Sequence, residues 1–237
     1  MEKRAYKERA NHMTKEQFIE IEKYMLSVMK DSAHDCEHIY RVLYSAIDIA
    51  EYEHDVNMDV LIAACLLHDI GRQAQFDDPS LCHAKVGSEM AYEYLLSAGW
   101  DEKSARHVSC CISSHRYRND NTPETIEAKI LFDADKLEAA GVTGIARTLV
   151  YKGQVSDPLY TVDDSGNILD GTSDSRPSFF HEYNFKLRHV YDRFYTKRGD
   201  AIAESRREAA ERFYENLLNE VTSSTNTGKA LLEQYFR

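Results

Sequence analysis

The chain has 237 residues, 43% apolar and 29% charged, with 29 Lys and Arg against 40 Asp and Glu for a formal net charge of −11. These fractions exclude global disorder, and the acidic balance argues against a nucleic-acid polymer as partner while leaving room for a small phosphorylated ligand gripped by local cations. The longest apolar run, Val60–Leu67, is far short of the roughly 20 residues a membrane span needs, and five cysteines without a C-x-x-C spacing, behind a charged Met1-Glu-Lys-Arg start, read as reduced thiols in a cytoplasmic protein.

Helical periodicity dominates the chain in order. A capping box, Thr14-x-x-Gln17, opens a helix over 14–30. From about Asp35 to Glu53, Ile39, Val42, Leu43, Ala46, Ile47, Ile49 and Ala50 recur at the spacing of one apolar helix face. Residues 59–70 are apolar nearly all round, which predicts a central, buried helix. Helices follow over 83–98, ended by Gly99, and over 101–114, and another begins with Pro123 in its first turn and runs towards Asp133. No segment alternates long enough to demand a sheet, and Tyr160-Thr-Val is the one β-like piece. It lies in a polar stretch, 153–177, read as a long loop that is functional or mobile. Helices resume over 178–194 and 199–222, and a short piece, 228–236, follows the polar run Thr222–Thr227. The expectation is an all-α chain forming one domain.

Ten histidines make placement the question. His68-Asp69 stands at the end of the most apolar segment, where both groups are expensive to bury without partners. A divalent ion is one such partner. Adjacent helical residues point about 100° apart, so both reach one ion only where the helix ends, and Gly71 is read as supplying that end. Two further features stand out: Asp35-x-x-His38, with His38 on an apolar face, and Asp135 after the buried-looking Ile130-Leu-Phe. Asp35 reads equally as an N-cap or as a group behind His38. His83 begins one apolar-periodic helix and His115 ends another, and imidazoles with carboxylates on facing helices are how bundles build internal metal sites.

The ordered set His38 … His68-Asp69 … Asp135, with Ile70-Gly71 after the doublet, resembles the HD-domain superfamily of metal-dependent phosphohydrolases. His38-Ile-Tyr-Arg41-Val, Ala134-Asp135-Lys136-Leu137, Gly144-Ile-Ala-Arg147-Thr and Phe185-Lys186-Leu187 … Thr196 … Ala203-x-x-Arg206 are similar to the small stand-alone bacterial members over about residues 20–221. The resemblance implies an HD metal-binding core over about 20–150 and a C-terminal helical extension over about 178–237, within one domain. It implies His38, His68, Asp69 and Asp135 as ligands of a divalent ion (Mn, Mg, Fe, Ni or Zn), one or two per chain. His83 and His115 sit where binuclear members place extra ligands, with Asp69 then shared by both ions. The activity implied is hydrolysis of a small phosphorylated substrate, a nucleotide, by metal-activated water. Asp69 assists catalysis in this reading, and Arg41, Arg72 and Lys136 offer cations for the developing charge. A catalytically silent nucleotide-binding module and a di-iron oxygenase are the alternatives. The Gly-Tyr-Pro element of cyclic-dinucleotide phosphodiesterases is not present in the sequence, and no alarmone synthetase domain follows, so both substrate classes lose weight.

Overall fold

The computed structural model describes residues 12–29, 36–116, 121–174 and 176–237; Asp35 lies outside these. The chain divides into two compact units. One comprises Met1–Glu138 with Phe194–Gly199, the other Ala139–Arg193 with Asp200–Arg237. Secondary structure is helical, and the β-pairing among the described residues is one isolated bridge, Val162 with Ile168. No helix among them is long and apolar enough to cross a membrane.

The first unit holds α1 (Lys15–Val28), α2 (Cys36–Ala50), α3 (Met58–Leu67), α4 (Arg72–Asp77), α5 (His83–Ser97), α6 (Glu102–Ser113) and α7 (Ile126–Leu137). The capping box forms as the sequence predicts: Gln17 N donates to Thr14 Oγ1 and Thr14 N donates to Gln17 Oε1. The all-round apolar character of α3 has a direct cause. It packs against α1, α2, α6 and α7, so Val60, Leu61 and Ala63–Leu67 are all buried. Helix α7 starts later than Pro123 suggested. Thr125 caps it, because its hydroxyl can accept from the otherwise orphaned Ala128 N–H and a proline ring cannot.

A buried carboxylate fastens the returning segment to this unit. Asp133, on α7, accepts hydrogen bonds from Tyr195 N, Thr196 N and Thr196 Oγ1, the last two at 2.7 Å. Asp133 and Asp135 share one short sequence motif, yet Asp133 serves as this clasp.

In the second unit, α8 (Gly141–Gln154) and α9 (Phe179–Phe185), a 3-10 turn (Leu187–His189) and most of α10 (Lys197–Tyr235) enclose an aromatic core. Phe179, Phe180, Tyr183 and Tyr214 are its centre, with Tyr183 and Tyr214 stacked at 4.2 Å. Helix α8 takes in 153 and 154, and the described residues beyond it up to 177 are irregular but tied down. Leu169 N donates to Thr161 O, and Phe179 N and Phe180 N donate to the carbonyls of Pro158 and Leu159. Helix α10 runs unbroken through the polar run 222–227, where the sequence suggested a break. Serine and threonine lower helix propensity by well under about 1 kcal/mol each, and Ser224 Oγ satisfies itself on Val221 O.

Candidate metal centre

Four histidines and two carboxylates meet in the first unit. His38 comes from α2, His68-Asp69 from the turn after α3, His83 from the start of α5, His115 from just beyond α6, and Asp135 from α7. Asp69 is 2% exposed and stands at the centre, with each carboxylate oxygen facing a different group. Its Oδ2 lies 3.5 Å from His38 Nε2 and 3.6 Å from His68 Nε2. Its Oδ1 lies 3.5 Å from His83 Nε2 and 3.6 Å from His115 Nε2. Asp135 Oδ1 joins the first group, 3.3 Å from His38 Nε2 and 3.8 Å from His68 Nε2. Two clusters therefore share one carboxylate, and within His38, His68 and Asp69, and within Asp69, His83 and His115, the ligand-type atoms lie within 4.8 Å of one another.

The far nitrogen of every ring is committed. His68 Nδ1 faces Cys65 O at 2.8 Å and His115 Nδ1 faces Ile112 O at 2.6 Å. A carbonyl only accepts, so these nitrogens carry the proton and Nε2 is left as a lone pair. His83 Nδ1 meets Gln75 Oε1, and His38 Nδ1 meets the Glu138 carboxylate at 3.1 Å. This is the arrangement that aims imidazoles at a metal.

The centre fits a cation on its own geometry. Asp69 Oδ1, His83 Nε2 and His115 Nε2 are buried without hydrogen-bond partners, and His38 Nε2 and His68 Nε2 face each other at 3.4 Å. Buried lone pairs pointed at one another are repulsive unless something positive lies among them. The titration behaviour agrees. Burial, which outweighs nearby carboxylates, pushes His68 down to about 4, and burial with the Arg72 charge pushes His83 down to about 3. Burial also works against the Asp69 and Asp135 charges. The groups around them, His68 and Arg72 for Asp69 and His38 for Asp135, still hold both carboxyls below their usual range. His38 is the exception. Burial lowers it, but Asp135, Asp69 and Glu138 together raise it to about 10.

Gly71 plays a different part from the expected one. Helix α3 already ends at Leu67, with His68 as its C-cap, and Gly71 precedes α4 at φ −84°. What requires glycine is space: a Cβ at residue 71 would lie 2.2 Å from His83 O and 2.5 Å from Gly87 N. The turn carrying His68-Asp69 thereby seats directly on the start of α5.

The three candidate cations are placed differently. Arg72 Nε is 2.9 Å from Asp69 Oδ1, and Arg41 Nη2 is 2.9 Å from Glu138 Oε2. Lys136 Nζ lies 4.7 Å from the Phe194 ring centre and 5.7 Å from that of Phe132. Two residues escaped the sequence reading. Glu138, one turn beyond Asp135, carried a helical-spacing signal that was there to use. Gln75 sits on α4, six residues with none buried, and carried no signal.

Residues 36–140, which include all six ligand candidates, match the family model described as the HD domain. Over these residues the chain is similar to the HD domain, and its all-helical fold resembles that of HD-superfamily hydrolases. Among relatives, it is 28% identical over 193 residues to the uncharacterized protein YpgQ of Bacillus subtilis (strain 168), covering 79% of this chain and 85% of that protein. The crystal structure of YpgQ in complex with ADP matches with a TM-score of 0.67 at 26% identity, over 86% of this chain and 98% of that one. An HD-superfamily hydrolase from Bacillus thuringiensis matches with a TM-score of 0.65 at 28% identity, over 86% of this chain and 96% of that one.

Proposed function

We propose that this protein is a metal-dependent phosphohydrolase that cleaves a phosphoester or phosphoanhydride bond of a small phosphorylated substrate, a nucleotide. The observation that carries this reading is the shared carboxylate: Asp69 offers Oδ2 to one imidazole cluster and Oδ1 to another. His38, His68, Asp69 and Asp135 would hold one divalent ion, and Asp69, His83 and His115 a second. When bound, such ions lower the pKa of water and polarise a phosphoryl oxygen. The nucleotide assignment is supported by the ADP in the YpgQ structure.

The chain's own groups complete the site. Asp135, with 23% of its side chain exposed, marks the open side of an otherwise buried cluster. Arg41 and Arg72, with side chains 38% and 34% exposed, carry positive charge from this cluster towards solvent, where a phosphoryl group would dock. Glu138 holds His38 in the tautomer that presents Nε2 and accepts from Arg41 Nε at 2.9 Å. Replacing it by glutamine keeps the shape and removes the charge. Glu138→Gln is expected to weaken metal affinity or turnover about 10- to 100-fold, measured by metal titration and by rate. Wild-type values for both would show that Glu138 has no such part.

The reading is tested with chelator-stripped protein reloaded in turn with Mn²⁺, Mg²⁺, Fe²⁺, Ni²⁺ and Zn²⁺. Release of phosphate or pyrophosphate from nucleoside mono-, di- and triphosphates is then followed. Release with at least one ion and none from the stripped protein is expected. Metal bound with no release from any nucleotide would leave a binding module. Oxygen uptake by the iron form, without phosphate release, would make the centre a di-iron oxygenase.

A further inference from the structure

The two halves of the centre are electrically unequal. The half formed by His38 and His68 has two carboxylates, Asp135 and Asp69 through Oδ2, and a third, Glu138, behind His38. Among the described residues, the half formed by His83 and His115 has one carboxylate, the shared Asp69, through Oδ1. Behind its rings stand uncharged acceptors, Gln75 Oε1 and Ile112 O. At that same Oδ1 stands a guanidinium, with Arg72 Nε 2.9 Å away. Arg116, next to His115, adds a second positive charge beside this half, its Nη1 3.7 Å from the sulfur of Cys82, the residue before His83.

The Arg72 contact is ionic but poorly made. The two atoms are 2.9 Å apart, and the contact is an ion pair in which neither Arg72 Nε nor Asp69 Oδ1 meets full hydrogen-bond geometry. Arg72 is also the first residue of the short helix α4, with a third of its side chain in solvent, so the guanidinium can leave without unpacking a core. A divalent ion at His83 and His115 would have to share Asp69 Oδ1 with this like charge.

We propose that Arg72 gates the second half-site: His83, His115 and Asp69 Oδ1 hold a divalent ion only when a phosphoryl anion draws the guanidinium off Asp69 and supplies negative charge in its place. This rests on the two-cluster reading given above. It couples occupancy of the centre to arrival of a phosphorylated substrate. The first half-site binds its ion in the resting protein, and the second fills together with the anion.

The test counts Mn²⁺ bound per chain by equilibrium dialysis and low-temperature Mn(II) electron paramagnetic resonance, using the full chain with and without inorganic phosphate. Wild type is expected to hold one ion without phosphate and two with it, the second binding at least about tenfold more tightly when phosphate is present. Arg72→Gln should hold two without phosphate, Arg72→Lys should keep the phosphate dependence, and His83→Ala should stay at one throughout. Two ions in phosphate-free wild type, one ion in wild type under both conditions, or an Arg72→Gln variant that still needs phosphate would each overturn the gate while leaving a metal centre. No Mn²⁺ in any protein would overturn the two-cluster reading itself, and the gate with it.

Discussion

Asp69→Ala is expected to lose both turnover and bound metal while keeping a helical fold. Both clusters depend on this carboxylate, so its removal takes a ligand from each at once. Asp69 Oδ2 serves His38 and His68, and Oδ1 serves His83 and His115. Electrophilic stabilisation by a metal contributes several kcal/mol to a barrier, and about 1.4 kcal/mol is a factor of ten, so the loss should reach on the order of 10³-fold or more. The fold should survive because the counter-charge left behind, Arg72, has a third of its side chain in water and can turn outwards. Asp69→Asn is the finer instrument. Its amide keeps the volume but has one acceptor oxygen and no charge, so it can face one cluster and not both. The measurements are elemental analysis after desalting, steady-state rates and far-UV circular dichroism. An alanine variant that retains metal and turns over at the wild-type rate would sink the assignment of Asp69.

The parts of this centre that show in the sequence are those that chain order and burial specify together. His68-Asp69 at the end of the most apolar stretch is an anomaly that any reading for buried charge would stop at, and α3 is indeed packed on four sides. His83 and His115 stand at helix ends, one at the start of α5 and one just after α6, where a ring can point off the helix axis. The groups behind the rings are less legible. Cys65 O and Ile112 O are backbone atoms, and no residue type announces them. Gln75 depends on a short exposed helix without periodicity, and Arg72's contact with Asp69 follows from that same helix starting directly after Gly71. The unbroken course of α10 was hidden for another reason. A Ser/Thr run weakens a helix only slightly, so local composition suggested a break that the backbone had no cause to make.

Gly71→Ala should strike the second half-site alone, and should do so through packing instead of charge. Residue 71 has an ordinary negative φ of −84°, so alanine meets no backbone strain there. The obstacle is the start of α5. The added methyl would sit 2.2 Å from His83 O and 2.5 Å from Gly87 N, and backbone atoms cannot rotate aside as a side-chain tip can. Either the turn after His68-Asp69 or the first turn of α5 must move, and His83 lies at the point of contact. Overpacking of this kind costs about 1–3 kcal/mol, which for a chain of this length lowers the melting temperature by roughly 3–10 °C. The same shift would carry His83 Nε2 away from Asp69 Oδ1, so with phosphate present the variant should bind one ion where wild type is expected to bind two. The half-site built by His38, His68 and Asp135 takes His38 from α2 and Asp135 from α7, both away from this contact, and its ion should remain. Gly87→Ala is the internal control. Its methyl would lie 3.1 Å from Gly71 N and 3.5 Å from His68 O, a contact that a few tenths of an ångström can relieve, so its effect should be markedly smaller. Thermal melts and metal counts on the two variants separate the cases. Equal melting temperatures for Gly71→Ala and wild type would show that the turn is not seated on α5 as tightly as these distances require.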